Sequence, residues 1–543
     1  MRRPADAYGV TDQSGLRTLL VGLGGVCERT LRPHVEAGRA STVGDLIADG
    51  AAASMASQVV PETHSAWPSL YTGVNPGRHG VFGRRAFDGR ECSRATFRDV
   101  REHALWELLD RRGRSSVVVN VPVTAPPSPF DGALVSGWGG PDRPACHPEG
   151  ALAALDGMPD DYRVYVPGDA TGDERVAWSR RLAAARATAF VRLVDRVGPD
   201  FGFLGFHQTK TVFRDCPDDP SAQAAVFDAV DDAVATAVEA TDPDTVVLAS
   251  DHGVAPLDGP SFRVNDFLHD RDLLSTTRGG TDALPPRPAA DSGHEPDGRS
   301  LGARLAGLAA KAGATSQRVA SLLDRVGLDG LAGGVLPRRV VWAATERVDR
   351  DASVAYARSG ERYGVRVNCA GRDPDGVVSP AEYQSVRSDL VDALRTVRTP
   401  DGERVFSAVG PAEQFFGGPH VEAGPDVVTV PRRFDVHLDA ALCGTQFGDP
   451  ERAYANVPRG LLALAGDGVD ESASVSEPHL FDVAPTVLAS LGVPPSTRMD
   501  GDVLAPVDTL ESTEYAPFTD GPPGDSGPSR RLSRPGQPDG EEP

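Results

Sequence analysis

Short apolar runs alternate with longer amphipathic stretches along most of this 543-residue chain. The apolar runs are residues 19–23, 116–121, 203–206, 245–249, 426–430 and 461–465. Runs of this length predict buried strands, and the stretches between them have the spacing of helices that cover a sheet. The alternation therefore predicts an α/β fold with a mostly parallel central sheet and helices on both of its faces.

Two of the amphipathic stretches also carry signals for helix ends. One has Leu182 and Leu193 on a single face and is followed by Gly198-Pro199, a typical stop. The other follows Ser379 and Glu382, whose spacing predicts a capping box at a helix start. These signals indicate where two of the covering helices end and begin.

Changes in composition divide the chain into parts. We expect one core built from residues 15–261 and 337–505. Between these parts, residues 262–336 are rich in Gly, Ala and Pro and contain one long helical candidate at 300–326, which indicates a helical insertion. Residues 506–543 have too few apolar side chains to offset the entropy lost on ordering, so we predict a disordered tail.

The charge balance limits the classes of partner. A formal net charge of -22 disfavours binding to nucleic acid or to an anionic membrane, because both are polyanions. No run approaches the roughly 20 apolar residues of a membrane-spanning helix, and the first apolar run is too short for a signal peptide. We therefore predict a cytoplasmic protein without a membrane span.

Carboxylates dominate the charged residues, and Lys210 and Lys311 are the only lysines. A surface of this kind suits a protein kept soluble in high salt, where screening weakens the repulsion between its charges. A GC-rich genome would also favour Arg over Lys, so both interpretations stay open.

The candidate functional residues lie in loops that follow predicted strands, where open α/β sheets bind their ligands. The strings in these loops are Gly22-Leu23-Gly24-Gly25, Pro61-Glu62-Thr63-His64-Ser65, Thr72-Gly73-Val74-Asn75-Pro76-Gly77-Arg78-His79-Gly80 and Ser250-Asp251-His252-Gly253. Of these strings, the third is the most specific.

These strings resemble the type I phosphodiesterase and nucleotide pyrophosphatase branch of the alkaline-phosphatase superfamily, especially its predicted phosphohydrolase and phosphomutase group in archaea and bacteria. The resemblance extends to residues 120–127, 368–372 and 481–486 and covers roughly residues 18–505, with a weaker match in the insertion. It implies the alkaline-phosphatase fold. It also implies a site in which two divalent metals, usually zinc, activate a Ser or Thr hydroxyl and orient the phosphate.

The resemblance assigns roles to several positions of this chain. Thr63 stands at the position of the nucleophile, and Asp251 and His252 stand at two ligand positions of the metal on the nucleophile side. The remaining ligand of that metal, an Asp in the family, is Gly24 here. Glycine has no side-chain ligand to offer.

The second metal loses all three of its ligand positions. Lys210 and Arg214 occupy the positions of an Asp and a His, and Asn456 occupies that of a late His. Two cations and an amide do not hold zinc. We therefore expect at most one divalent metal, zinc or manganese, on Asp251, His252 and Thr63, and no two-metal site.

Three functions remain open from the sequence. The preferred hypothesis is a catalytically impaired member of the superfamily that binds a small phosphate or sulfate ester through Lys210, Arg214 and Asn456. The first alternative is a single-metal phosphoester hydrolase with Thr63 as nucleophile, and the second is a non-enzymatic partner in a glycan or lipid pathway. Lys210 and Arg214 also have a plain structural alternative, ion pairs with carboxylates such as Asp215 or Asp251.

Overall fold

The structure, a computed structural model, describes residues 16–89, 91–158, 162–278, 346–358, 363–374, 376–450 and 452–519. Its strands are, in chain order, β1 (Thr18–Leu23), β2 (Ala51–Ala56), β3 (Arg85–Asp88), β4 (Glu91–Arg94), β5 (Ser116–Val119), β6 (Gly132–Val135), β7 (Cys146–His147), β8 (Phe201–Phe206), β9 (Thr245–Ala249), β10 (Gly253–Pro256), β11 (Ser261–Arg263), β12 (Ser275–Arg278), β13 (Glu346–Asp349), β14 (Ala355–Tyr356), β15 (Gly364–Val367), β16 (Phe406–Pro411), β17 (Val427–Pro431), β18 (His437–Asp439), β19 (Phe447–Gly448), β20 (Tyr454–Val457) and β21 (Arg459–Ala465). Its α-helices are α1 (Glu28–Glu36), α2 (Ser41–Asp49), α3 (Thr63–Thr72), α4 (Pro76–His79), α5 (Leu105–Asp110), α6 (Gly172–Val197), α7 (Gln208–Asp215), α8 (Pro220–Thr241), α9 (Val264–His269), α10 (Tyr383–Arg395) and α11 (Val483–Ser490).

An eight-stranded sheet with the order β2-β21-β9-β1-β8-β5-β6-β7 forms the centre of the described part of the chain. The strands from β9 to β6 run parallel, and antiparallel pairings add β21 and then β2 at one edge and β7 at the other. The expected α/β fold with a mostly parallel sheet is therefore confirmed. Strand β1 lies in the middle, with Leu20 opposite both Phe203 of β8 and Val247 of β9.

Helices cover both faces of this sheet because the side chains of each strand alternate between them. Leu20 of β1 joins an apolar cluster with Trp67 and Trp106 on one face. Its neighbours Leu19 and Val21 join a second cluster on the other face, which α6 and α8 complete. Helix α6 ends at Gly198, whose φ of +60° is the left-handed conformation expected of the predicted stop.

A smaller unit with its own apolar core interrupts the large fold. It contains the sheet β14-β15-β17-β16, a second small sheet of β18, β11 and β19, and helix α10. Its core includes Phe262, Val365 and Leu390. The predicted capping box is present, since Ser379 Oγ donates to Glu382 Oε2 at 2.6 Å just before α10.

The boundaries of this unit differ from those predicted. Residues 346–358, 363–374 and 376–448, assigned from the sequence to the second half of the core, belong to the smaller unit together with residues 261–278. The predicted strand at 426–430 is observed, but it lies in the small sheet. Short apolar runs show that a strand is buried without showing which sheet it joins. The helical candidate at 300–326 lies outside the described residues.

The packed core also extends past the predicted start of the tail at residue 506. Val507 and Tyr515 are buried in the first apolar cluster, and the Tyr515 hydroxyl donates to Pro494 O at 2.8 Å. The aromatic ring of Tyr515 also lies 4.7 Å below the Arg112 guanidinium. Residues 520–543 of the predicted tail lie outside the described part. No described helix is both long and apolar enough to span a membrane.

Candidate functional site

The candidate site lies at the carboxyl ends of three adjacent parallel strands, β9, β1 and β8. Gly24 follows β1, the pair Asp251 and His252 follows β9, and His207 connects β8 to α7. Because these ends share one edge of the sheet, loops that are distant in sequence meet there. Thr63, the first residue of α3, joins them from the side.

A buried polar network fixes the start of α3. The side-chain nitrogen of Gln58 donates to Ser65 Oγ at 2.8 Å, and its oxygen accepts from Ser69 Oγ at 2.6 Å. Ser69 Oγ also lies 2.8 Å from His79 Nε2. The Thr63 hydroxyl, 1% exposed, is thus presented by a helix start that its neighbours hold in place.

His79 supports this network as a neutral ring. Its side chain is fully buried, and Nδ1 accepts a hydrogen bond from the Val81 N–H at 3.2 Å. Burial lowers the pKa of His79 to about 3. Its hydrogen bonds to Ser69 and to the Val81 N–H connect α3 to the loop that follows α4.

Lys210 makes the central contacts of the site. Its Nζ donates a hydrogen bond to Thr63 Oγ1 and lies 2.9 Å from His252 Nε2. Thr63 Oγ1 and His252 Nε2 are themselves 3.0 Å apart. The resemblance assigned Lys210 to the position of the second metal. In the structure, its ammonium instead contacts residues assigned to the first, nucleophile-side metal.

The orientation of His252 explains how it can face an ammonium. Nδ1 lies 2.9 Å from the carbonyl oxygen of Gly253 and must donate to it, because a carbonyl only accepts. Nε2 then carries the lone pair and accepts from Lys210 or Thr63. Metal-binding histidines have the same arrangement, with one ring nitrogen held by a carbonyl and the other facing the ion.

Asp251 is ionised and held beside these groups. Oδ1 accepts a hydrogen bond from the Gly25 N–H at 3.1 Å, while Oδ2 lies 3.1 Å from His252 Nε2 without a hydrogen-bond geometry. Burial alone would raise the pKa of Asp251, but the positive charge beside it, including the Lys210 ammonium, outweighs burial and lowers the pKa to about 2. Gly25 has a φ of +71°, which glycine adopts without strain.

The space above Gly24 is filled by His207. A Cβ atom at Gly24 would lie 2.9 Å from His207 Nδ1, so a longer side chain there would displace the imidazole. Burial, with the charge of Lys210, lowers the pKa of His207 well below its usual value, so the ring is neutral. The sequence predicted that position 24 lacks a carboxylate ligand, and in the structure the His207 imidazole occupies the space of the missing side chain.

Arg214 forms an ion pair with its sequence neighbour Asp215, and its predicted role in anion binding stays a prediction. Its guanidinium donates to both carboxylate oxygens of Asp215, at 2.7 and 3.2 Å, and its side chain is 60% exposed. The structural alternative raised from the sequence, an ion pair with a neighbouring carboxylate, is the arrangement observed. Asp215 also pairs with Arg175 at 3.0 Å, so this carboxylate is shared by two guanidinium groups.

Asn456 lies at the edge of the site and supports its backbone. It sits in β20 opposite Val254 of β10, and its side-chain nitrogen donates to Pro61 O at 2.6 Å. Pro61 belongs to the loop that leads into Thr63. The amide therefore holds this loop, and its predicted contact with an anion stays a prediction.

The residues present do not fit the two-metal centre that the resemblance implies. Among the described residues, no group of three or more His, Cys, Asp or Glu side chains is arranged to hold a metal ion. Catalytic zinc sites use at least three protein ligands. Here Asp251 and His252 provide two, Thr63 adds a neutral hydroxyl, and the Lys210 ammonium contacts two of these three side chains.

Sequence reasoning missed one aromatic residue at the site. The indole of Trp138 packs against the imidazole of His64 at a centroid distance of 4.4 Å and against that of His207 at 4.5 Å. His64 follows Thr63, and His207 lies one turn before Lys210. Trp138 belongs to a glycine-rich loop after β6 that carried no recognisable motif, and its contacts depend on loops far apart in the chain.

Comparisons with known proteins identify the family and the fold. The sequence model of the family described as type I phosphodiesterase / nucleotide pyrophosphatase matches residues 18–321, more than half of the chain. A comparison with curated proteins found no significant match.

The structure is similar to two crystal structures of phosphonoacetate hydrolase from Sinorhizobium meliloti 1021, in complex with phosphonoformate and with phosphonoacetate. The TM-scores are 0.51 and 0.50, each at 14% sequence identity, and each match covers 88% of this chain and 95% of the other. A match to murine ectonucleotide pyrophosphatase / phosphodiesterase 5 in complex with AMP has a TM-score of 0.45 and 12% identity, and covers 92% of this chain and 97% of that one. The fold is thus alkaline-phosphatase-like, and the chain belongs to the type I phosphodiesterase / nucleotide pyrophosphatase family.

Proposed function

We propose that this chain is a family member in which the Lys210 ammonium replaces a catalytic metal, and that its site binds a small phosphate or sulfate ester without hydrolysing it efficiently. The observation that carries the proposal is the pair of contacts from Lys210 Nζ to Thr63 Oγ1 and to His252 Nε2. An ammonium provides positive charge for an oxyanion at a fixed position. It cannot polarise a bound hydroxyl or water as a divalent metal does.

Two features favour an anion at this position. Thr63 is the first residue of α3, so the positive end of this ten-residue helix adds to the Lys210 charge. The neutral, buried His207 excludes water from one side, which strengthens the remaining electrostatic interactions. A hydrogen bond to a charged group contributes about 1.5–3 kcal/mol, so Lys210 alone supports a dissociation constant of roughly 6–80 mM, and the helix start adds to this affinity.

Asp251 opposes an incoming anion and limits its affinity. Its carboxylate is ionised and 0% exposed, and its charge offsets part of the Lys210 charge. The same carboxylate also stabilises the partly buried ammonium, because a cation removed from water without a counter-charge is costly. The site is therefore suited to weak, charge-assisted binding of a dianion.

Calorimetric titration of chelator-treated protein with inorganic phosphate and with sulfate tests the proposal. Lys210→Met is expected to weaken phosphate binding by about tenfold or more, since it removes one charge-assisted hydrogen bond. Arg214→Ala is the matched control, because it removes a cation one helical turn away that pairs with Asp215. Binding that survives in Lys210→Met but not in Arg214→Ala would contradict the proposal.

A second function, slow phosphoester hydrolysis through Thr63, is favoured by one distance. His252 Nε2 lies 3.0 Å from Thr63 Oγ1, within reach of a general base that would accept the hydroxyl proton. Turnover of an aryl phosphate that resists chelators and is lost in Thr63→Val would support this function. Turnover that requires added zinc or manganese would instead support the single-metal hydrolase.

A further inference from the structure

Trp138 covers two imidazoles that flank the candidate site. Its ring plane lies 28° from that of His207 and 51° from that of His64, with centroid distances below 5 Å. His64 is adjacent in sequence to Thr63, and His207 precedes the turn that carries Lys210. The indole therefore takes up the ring surfaces beside the two residues that would contact an anion.

Both imidazoles are neutral aromatic rings with polar atoms that lack partners. Their side chains are nearly completely buried, at 1% exposure for His64 and 5% for His207, and burial lowers the pKa of each. In each ring, Nδ1 has no hydrogen bond among the described residues, and that of His64 lies 3.9 Å from Glu62 Oε1. These atoms lie toward Glu62 and toward the position of Gly24, so the indole packs on the rings and not on these nitrogens.

The backbone of the Trp138 loop is held without help from its indole. The carbonyl oxygen of Trp138 accepts from the Val123 N–H at 2.9 Å. The Gly139 N–H donates to the Tyr165 hydroxyl at 3.0 Å, and that hydroxyl donates to Gly140 O at 2.8 Å. Removing the indole therefore leaves the anchors of this loop in place and uncovers the imidazoles.

We infer that Trp138 determines ligand size: its indole occupies the surfaces of His64 and His207, so the site takes a phosphate or sulfate ester with a small, non-aromatic substituent and excludes a flat ring on this side. The inference rests on the proposed function, because it concerns the substituent of the same ester. An aromatic substituent would have to displace the indole from both imidazoles. Such ring contacts contribute about 0.5–1.5 kcal/mol each beyond the buried area.

Titrations with inorganic phosphate and with phenyl phosphate distinguish the contribution of the phenyl ring to the affinity from that of the anion. In the wild-type protein we expect phenyl phosphate to bind no more tightly than phosphate. In Trp138→Ala we expect phenyl phosphate to bind about tenfold more tightly than in the wild type, from one to two restored ring contacts, while phosphate affinity stays within about twofold. Trp178→Ala is the matched control, since Trp178 is a half-buried tryptophan of α6 that packs against the Arg181 guanidinium.

The outcomes distinguish this inference from the proposed function. A gain for phenyl phosphate only in Trp138→Ala supports the inference. Two results overturn the inference and leave the proposed function intact. In the first, all variants bind phosphate but Trp138→Ala shows no gain for phenyl phosphate. In the second, the wild-type protein prefers phenyl phosphate and Trp138→Ala loses that preference. Absence of phosphate binding in every variant overturns both. If Trp138→Ala does not fold, Trp138→Leu replaces it, with a smaller expected gain of about threefold and the same contradicting results.

Discussion

The Nζ atom of Lys210 lies 2.9 Å from Nε2 of His252. The opposite ring nitrogen of His252 donates to Gly253 O, so the lone pair of Nε2 faces the ammonium. A side-chain cation thus stands where a histidine of this orientation would bind a metal ion. Under the proposed function, exchange of a divalent ion for an ammonium would keep one positive charge at the site and would remove the Lewis acid.

Removal of this ammonium should restore some affinity for metal. In Lys210→Met, the His252 lone pair, the Asp251 carboxylate and the Thr63 hydroxyl lose the cation that two of them contact. We expect Lys210→Met to bind zinc at least tenfold more tightly than the wild type, because three donors are the minimum for such a site. Equilibrium titration with a zinc-sensitive chelator measures the difference.

The control for this experiment is Lys210→Arg, which keeps the positive charge. We expect its zinc affinity to match that of the wild type, because a guanidinium is also a permanent cation. Equal zinc affinity in all three proteins would contradict the view that Lys210 blocks the metal position. It would show that the missing carboxylate at Gly24 is the limiting defect.

The sequence allowed part of this site to be anticipated. Thr63, Asp251 and His252 converge as expected, because each lies in a loop at the carboxyl edge of a parallel sheet, and that edge can be identified from the order of strands and helices. The contacts of Lys210 could not be anticipated in the same way. These contacts depend on the orientation of α7 relative to β8 and on the conformation of the long Lys210 side chain. A sequence motif gives information on neither.

Arg214 and Trp138 illustrate the remaining limits. Arg214 has the expected charge and spacing, yet the carboxylate of its sequence neighbour Asp215 binds it at 2.7 Å. Trp138 carries no motif and reaches the site only through the packing of three separate loops. Most of the smaller unit was assigned from the sequence to the core for a similar reason. The strands of this unit pair across long sequence separations, which hydrophobic periodicity does not reveal.

Asp251 should make stability depend on pH in the acid range. Its pKa of about 2 in the folded chain is below the value of 3.8 expected for the unfolded chain. The carboxylate therefore contributes stability that is present above about pH 4 and is lost as the pH falls toward 2, on the order of 2 kcal/mol. In Asp251→Asn we expect lower stability than the wild type at pH 7 and a smaller difference at pH 3. Urea unfolding at both values checks this, and a constant difference would contradict it.

His79 should add a second dependence at milder pH. Its pKa is about 3 when folded and 6.5 when unfolded, so below pH 6.5 the unfolded chain takes up a proton that the folded chain refuses. Stability therefore falls by about 1.4 kcal/mol per pH unit as the pH drops from 6.5 toward 3. We expect His79→Gln to lose this part of the slope between pH 7.5 and 5.5 in urea unfolding. His269→Gln, at an exposed histidine, is the control and should keep it.

Asp426 should be essential to the stability of the smaller unit. Its carboxylate, 4% exposed, accepts hydrogen bonds from the Val367 N–H at 2.7 Å, from Tyr383 Oη at 2.6 Å and from Arg372 Nη1 at 2.5 Å. Burial alone would lower the pKa of Arg372, but Asp426 and Asp373 raise it, so the guanidinium stays charged. Asp426→Asn leaves this cation with less counter-charge, and we expect a loss of about 3–5 kcal/mol in the free energy of unfolding.

The comparison for this variant is Asp392→Asn in α10, where the carboxylate is 73% exposed and lies 3.6 Å from Arg395. An exposed pair of this kind contributes at most about 0.5 kcal/mol. Chemical denaturation of both variants at pH 7, followed by circular dichroism, separates the two cases. Similar losses of unfolding free energy in both variants would contradict the prediction, because they would mean that the buried ions are screened as strongly as surface ions. A loss confined to Asp426→Asn would establish that burial makes the Asp426 carboxylate indispensable to its buried partners.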